Sequence, residues 1–152
     1  MTNNKKIIFF LWADANPKIG FGHLKRIYFI SETLKKLNIN YSILTERNKI
    51  SSYFVNHRCF FLNASIEEYV RQHKIPDILT KSSNYKKYLI IDSYSLEKNY
   101  LKKIKSQKII TVYFNDFLKN CSANLNINLG LDAPRKNYIS GLNHIPLSRF
   151  FI

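Results

Sequence analysis

Apolar runs and helical patterns alternate from the start of the chain. The compact apolar run IIFFLW within residues 5–12 predicts a buried first strand. Apolar side chains then recur at helical spacing with charged side chains on the opposite face, so an amphipathic helix is predicted to begin near Gly22. The apolar positions are Leu24, Ile27, Tyr28, Leu34 and Leu37, and the charged positions are Lys25, Glu32, Lys35 and Lys36.

The alternation continues through most of the sequence. Ser65 and Glu68 form a capping box, and Pro76 suits the first position of a further short helix. Alternating strand and helix units predict one Rossmann-like α/β domain over 1–152, with a parallel sheet and helices on both faces. The later strands are predicted at 40–44, 58–62, 87–91 and 108–114, and the later helices at 48–56, 65–72 and 96–105.

The segment DANPKIGFGHLKR, residues 14–26, joins the first strand to the first helix and places His23 in the first helical turn. The unpaired N–H groups and the dipole of that turn disfavour an added positive charge, so the imidazole is expected to stay neutral and able to accept a proton. Gly20 and Gly22 lack Cβ atoms, which permits unusual dihedrals and a close approach by a substrate. A second interpretation is a phosphate-binding turn in which His23 only caps the helix.

Polar residues follow the predicted strands at the edge where open parallel sheets bind their ligands. The residues just beyond a strand are Asp14, Asp92, Tyr94, Asn115 and Asp116. Three acids at the same edge as His23 predict a polar site there, although acids after strands also cap helices and brace loops. A dinucleotide fingerprint is not complete, because Lys25 stands in the place of its third glycine, and a Walker loop is absent.

The formal net charge of +14 invites a nucleic-acid interpretation. Lysines are scattered among abundant Asn, Ile, Phe and Tyr, all of which have AT-rich codons, so genome composition explains the excess and no specific nucleic-acid partner is expected. A positive surface would still steer an anionic substrate towards the protein.

The sequence lacks the features typical of a membrane-spanning protein and of a metal site. No apolar run approaches the roughly 18 to 20 residues of a spanning helix, and Cys59 and Cys121 have no metal spacing, so a cytoplasmic protein without a membrane span is expected. His57, His73 and His144 have no partners at ligand spacing and are interpreted as surface or half-buried residues.

The segment DANPKIGFGHLKR resembles the N-terminal signature of the UDP-sugar hydrolases of pseudaminic acid biosynthesis. These enzymes cleave UDP-2,4-diacetamido-2,4,6-trideoxy-β-L-altropyranose to the free sugar and UDP. IDSYSL at 91–96, FND at 114–116 and CSANLNINLG at 121–130 are similar to later segments of the family. The tail at 141–151 is similar to the family's crossover segment, with Gly141, Pro146, Leu147 and Phe151 in place.

The resemblance implies the amino-terminal domain of a two-domain glycosyltransferase-B architecture, whose other domain holds the UDP. His23 would be the general base that deprotonates a water, which attacks the anomeric carbon and expels UDP with inversion, without a metal or another cofactor. Asp14 is the nearest carboxylate candidate for orienting His23, and Arg26 would either reach a substrate phosphate or pair with an acid. The expected substrate-binding set is Asp14, Asn16, Gly20, Gly22, Arg26, Asp92, Tyr94, Asp116, Asn126 and Asn128.

The sequence also departs from the family pattern. A family chain continues into a second domain, whereas this sequence ends at Ile152, so the UDP site is expected to be missing or to come from a second chain or domain. Trp12 occupies the place of an arginine and is expected to remove a cationic contact from the cleft, and Ser148 and Phe150 replace an arginine and a glutamate.

The alternative function is a non-catalytic binding or assembly module that docks a separate nucleotide-binding chain in surface-glycan synthesis. An exposed apolar face within 142–152 would favour docking.

Overall fold

The computed structural model describes residues 6–16, 19–54, 58–81, 84–117, 120–128 and 138–140. Seven strands form a single sheet. The strands are β1 Lys6–Ala13, β2 Asn40–Glu46, β3 Cys59–Leu62, β4 Tyr85–Asp92, β5 Ile109–Phe114, β6 Leu125–Asn128 and β7 Tyr138–Ser140. The helices are α1 Gly22–Lys36, α2 Lys49–Phe54, α3 Ile66–Arg71, α4 Asp77–Lys81 and α5 Lys98–Ser106.

The strands lie in the order β3-β2-β1-β4-β5-β6-β7, and every neighbouring pair is parallel. The chain winds outward from β1 to β3, crosses back to β4 and then winds in the opposite direction. This arrangement confirms the Rossmann-like α/β prediction. The direction of winding reverses between β1 and β4, and open sheets of this kind bind ligands beyond the carboxyl ends of the strands at that point.

The reversal also decides which helices cover which face. Right-handed crossovers put helices on opposite faces when the direction of winding changes. Leu11 and Ala13 of β1 pack in one core cluster with apolar residues of α1, whereas Phe10 and Trp12 pack in the other with apolar residues of α3, α4 and α5. Alternation of side chains along β1 therefore fills both layers of the core.

Most of the predicted elements are present. The capping box at α3 is confirmed, because the Ser65 hydroxyl accepts a hydrogen bond from the Glu68 amide at 3.2 Å. Helix α5 begins at Lys98 rather than at residue 96, because the backbone is still extended at Glu97, with φ −117° and ψ 152°. Strands β6 and β7 were not predicted, since the asparagines of LNIN indicate turns more strongly than they indicate a strand.

Trp12 lies in the core and not at the cleft. Its ring is fully buried and packs edge-on against Tyr69 with centroids 5.6 Å apart. The expectation that this position faces the cleft is wrong, because strand alternation turns its side chain towards α3 and α5. The tail segment 141–152, including its predicted apolar face, lies outside the described residues. Within the described ranges, no helix has the length and apolar character needed to cross a bilayer.

Candidate functional site

A pocket of about 300 Å³ opens beside the first turn of α1, at the carboxyl end of the sheet. It is lined by Ile19, Gly22, His23, Arg26 and Tyr94. His23 and Arg26 are three residues apart on α1 and therefore project from the same side of the helix. The pocket thus lies where the reversal between β1 and β4 predicts a ligand crevice.

His23 is held by a buried carboxylate from the neighbouring strand. Its side chain is 4% exposed, and its Nδ1 contacts Oδ1 of Asp92, the fully buried last residue of β4. A carboxylate only accepts hydrogen bonds, so this contact assigns the proton to Nδ1 and leaves the lone pair on Nε2. No residue that the structure describes forms a hydrogen bond with Nε2. His23 therefore does not cap the helix, and its outer nitrogen has the chemistry of a proton acceptor.

Arg26 also forms an ion pair with the Asp92 carboxylate. Its Nε donates to Oδ2 of Asp92 and its Nη2 donates to Oδ1, each at 2.7 Å. Nη2 also lies 3.2 Å from Nδ1 of His23, but both nitrogens carry protons in this tautomer, and Asp92 is the acceptor that they share. Burial disfavours the guanidinium charge, yet attraction to Asp92 and Asp116 raises the pKa of Arg26 above its ordinary value.

The outer side of Arg26 is occupied as well. Its Nη1 donates to Oδ2 of Asp116 at 2.8 Å, and its Cζ lies 5.0 Å from the centre of the Phe114 ring. Arg26 was expected either to reach a substrate phosphate or to pair with an acid, and in the structure its guanidinium pairs with two acids. The second oxygen of Asp116 is buried without a hydrogen-bond partner among the described residues.

Asp14 forms no hydrogen bond or ion pair with His23. Its Oδ2 accepts a hydrogen bond from Ser93 Oγ, and its Oδ1 accepts one from the Ile66 amide at 3.2 Å. Burial raises the pKa of the Asp14 carboxyl above its usual range, while these two hydrogen bonds act in the opposite direction. The orienting role expected of Asp14 falls on Asp92 instead, because Asp14 ties the end of β1 to the first turn of α3.

The glycine-containing loop is braced from within. Asn16 accepts hydrogen bonds from the Ile19 amide through its side-chain oxygen at 3.0 Å and from the Gly20 amide through its backbone oxygen at 2.8 Å. Gly20 has a φ of 80°, which strains any residue with a Cβ, whereas the φ of Gly22 lies outside the left-handed region. A Cβ added at either glycine would meet nothing within 4 Å. The expectation of unusual dihedrals thus holds for Gly20 but is wrong for Gly22, the first residue of α1.

Exposed aromatic rings stand at the mouth of the pocket. The Tyr94 ring meets the His23 imidazole at 80° with centroids 4.3 Å apart, and Phe117 packs against Tyr94 at 4.8 Å. Tyr94 is 41% exposed and Phe117 is 65% exposed. The Tyr94 ring therefore presents apolar surface beside His23, and Phe117 extends that surface.

Asn126 and Asn128 are buried in the strand rather than displayed in the pocket. Asn126 Oδ1 accepts a hydrogen bond from the Cys121 thiol at 2.7 Å, and Asn128 Nδ2 donates to the Asn115 backbone oxygen at 3.0 Å. These contacts brace the loop between β5 and β6 that carries Asp116. Neither asparagine lines the pocket.

Sequence reasoning missed Ser93, Phe114 and Phe117. Ser93 is fully buried, and besides its bond to Asp14 its Oγ accepts from the Ser95 amide at 3.1 Å. Its position between Asp92 and Tyr94 was the available signal, but a serine after a strand has many ordinary roles in turns. The two phenylalanines gave no signal, since aromatic residues are common in this chain.

The other features of the described residues carry less chemistry. A larger hollow of about 680 Å³ lies beside β3, and none of the predicted site residues lines it. No cluster of three or more potential metal ligands occurs among the described residues. His73 is exposed as interpreted, while His57 and His144 lie outside the described residues.

Models of known protein families give no match to this sequence, and curated proteins give none either. The fold, the pocket and the motif resemblance are therefore the grounds on which a function is proposed.

Proposed function

We propose that this chain carries the catalytic histidine of a hydrolase that cleaves UDP from a nucleotide sugar. The substrate class follows from the DANPKIGFGHLKR resemblance, which points to a diacetamido-trideoxy-altropyranose in nonulosonic acid biosynthesis. The observation that carries the chemistry is the contact between Nδ1 of His23 and the Asp92 carboxylate in a pocket at the carboxyl end of the sheet.

The reaction assigned to His23 is general base catalysis. Nε2 takes a proton from a water, the resulting hydroxide oxygen bonds to the anomeric carbon, and the bond from that carbon to the UDP oxygen breaks with inversion. The Asp92 carboxylate holds the tautomer in which Nε2 can accept the proton, and it stabilises the imidazolium that results. No metal or cofactor enters this proposal.

A second candidate function is favoured by the state of Arg26. This arginine is the only cationic side chain among the described residues that line the pocket, and two carboxylates already hold it. The diphosphate would therefore need cations from a second chain or domain. The exposed rings of Phe21, Tyr94 and Phe117 offer apolar surface for such a partner, so a docking module without activity of its own is the alternative.

Release of UDP distinguishes the two functions. We would incubate the chain with the altropyranose nucleotide sugar, alone and together with a family-type carboxyl-terminal domain, and measure UDP in a coupled assay. We expect turnover when both parts are present, because binding energy from the nucleotide positions the reacting centre.

His23→Ala should lower that turnover by about two to four orders of magnitude, the usual contribution of a general base. The matched control is His73→Asn, because His73 is exposed, lies outside the pocket and has a φ of 50° that asparagine tolerates. Turnover that survives His23→Ala would place the base elsewhere. Specific binding of the two parts without turnover would support the docking module.

A further inference from the structure

Arg26 and Asp116 form the far side of the His23 site. Asp92 is fully buried, and each of its oxygens accepts one Arg26 N–H at 2.7 Å, while Oδ1 also contacts His23. We propose that Arg26 and Asp116 are positioning residues, which hold Asp92 as an anion against Nδ1 and thereby fix the His23 tautomer. The role of these residues in catalysis rests on the proposed function, whereas their effect on the His23 tautomer does not depend on it.

The argument begins with the cost of a buried charge. A carboxylate without exposure to water is stable only when it is paired and hydrogen-bonded. Among the described residues, Arg26 supplies two of the three hydrogen bonds made by the Asp92 side chain. Without the guanidinium, Asp92 would gain a proton or turn away. A protonated Asp92 would donate to Nδ1, which would move the imidazole proton to Nε2 and remove the acceptor.

The geometry requires arginine rather than any cation. Nε and Nη2 form a planar fork that matches the two oxygens of one carboxylate, while Nη1 remains for a second acid. A lysine presents a point charge and cannot hold both oxygens of Asp92 and Asp116 at once. We therefore expect a lysine at this position to keep the charge but to lose part of the orientation.

Asp116 acts through Arg26. Its Oδ2 anchors Nη1 at 2.8 Å, and the Phe114 ring covers the guanidinium at 5.0 Å, so the fork is fixed on the side away from Asp92. Among the described residues, the Asp116 side chain forms no hydrogen bond or ion pair with His23 or Asp92, so its effect on the imidazole must be indirect. Arg26, Asp92 and Asp116 together carry one net negative charge, which disfavours the use of Arg26 as an anion site.

The test is the tautomer of His23, read from the imidazole ¹⁵N chemical shifts of the full chain. His23→Asn assigns the signals among the four histidines. In the parent protein we expect a proton on Nδ1 and a lone pair on Nε2. In Arg26→Gln we expect the ratio of the Nδ1-protonated to the Nε2-protonated tautomer to fall by about tenfold to a hundredfold. This is the effect of losing one hydrogen bond to a charged group.

Four comparisons make the outcome specific. Arg26→Lys and Asp116→Asn should change the ratio in the same direction by less, and Asp116→Asn should add nothing to Arg26→Gln, because it acts through that residue. The matched control is Arg47→Gln, since Arg47 lies 4.9 Å from the Phe61 ring much as Arg26 lies 5.0 Å from Phe114. Arg47 forms no ion pair among the described residues, so its replacement should leave the His23 signals unchanged.

An unchanged tautomer in folded Arg26→Gln would overturn the proposal, and so would an equal change in Arg47→Gln. If Arg26→Gln does not fold, Arg26→Lys and Asp116→Asn decide the question by the same measurement. The measurement needs no substrate. A chain that lacks UDP release but shows these shifts would therefore contradict the proposed function and still support the positioning role.

Discussion

Two acids at the ends of neighbouring strands have different environments. Asp92 is paired with Arg26 and contacts Nδ1 of His23, so a cation lies directly against its charge. Asp14 is only 3% exposed and accepts hydrogen bonds from Ser93 and Ile66, but no cation contacts it among the described residues. Hydrogen bonds alone do not fully offset the loss of water around a charge. Asp92 is therefore the carboxylate that contacts His23, whereas Asp14 is the carboxylate that joins the end of β1 to neighbouring elements.

The raised pKa of Asp14 predicts a pH dependence of stability. Because the folded protein holds this proton more tightly than the unfolded chain, the contribution of Asp14 to stability is fully present below the unfolded pKa and is lost as pH rises through the folded pKa. Asp14→Asn removes this dependence. We expect the variant to gain stability relative to the parent protein as pH rises from about 4 to 7, measured by urea denaturation at each pH.

The matched control is Asp77→Asn, because Asp77 is exposed and, among the described residues, forms an ion pair with Lys81 alone. This control should show no comparable gain with rising pH. Asp14→Ala should instead lose about 1–3 kcal/mol, because the Ile66 amide and the Ser93 hydroxyl lose their acceptor. A constant difference between Asp14→Asn and the parent protein across the pH range would show that burial does not perturb Asp14.

At the scale of elements, the loop between β1 and α1 positions the site by being fixed at several points. Asn16 ties the loop to Gly20, and Asn48 Nδ2 donates to the Ala15 backbone oxygen. Helix α1 then starts at Gly22 and sets the direction of His23 and Arg26. The loop and the strand ends of β4 and β5 together form the polar site.

Substitution of Gly20 and of Gly22 by alanine should affect the stability of the protein differently. Gly20→Ala should lower the free energy of unfolding by about 1–2 kcal/mol, because a φ of 80° is unfavourable for an L-residue with a Cβ. Gly22→Ala should be neutral or slightly stabilising, since its Cβ would occupy open space in the first turn of a helix. Urea denaturation of both variants measures the difference.

Gly22→Ala also tests close approach by a ligand, because Gly22 lines the pocket. A variant that folds normally but binds substrate more weakly would indicate contact with the backbone at this position. Equal stability losses for the two glycine variants would contradict the dihedral argument.

At the scale of the whole molecule, the net charge of +14 is not confined to one face of the described structure. Exposed lysines lie on α1, which covers one face of the sheet, and on α5, which covers the other. A distribution of this kind attracts phosphate backbones without reading their sequence.

We therefore expect weak DNA binding without sequence preference. Two unrelated duplexes of equal length should bind within about twofold of one another, and the affinity should fall steeply with salt concentration, because counterion release supplies the binding energy. Fluorescence anisotropy measures both properties. Lys36→Gln on α1 and Lys102→Gln on α5 should weaken binding by similar small factors. A strong loss from only one variant, or a marked preference for one duplex, would indicate a dedicated nucleic-acid surface.

Local patterns in the sequence determined the main elements of this fold. The run IIFFLW, the helical spacing after Gly22 and the capping box at Ser65 act over a few residues, so they predict β1, α1 and α3 without knowledge of distant contacts. The same patterns placed His23 in the first turn of a helix and several acids at one edge of the sheet. Strand β6 escaped prediction because its alternate asparagines are buried by partners distant in sequence.

Only the tertiary structure decided which acid contacts which partner. Asp14 and Asp92 both follow the same rule of position at strand ends, but they are paired through contacts spanning 52 to 79 residues of sequence. The pairing of Arg26 with Asp92 and Asp116 and the burial of Trp12 likewise depend on how the strands lie beside one another. Sequence spacing fixes what kind of side chain reaches the edge of a sheet, whereas strand order and helix packing fix which side chains meet there.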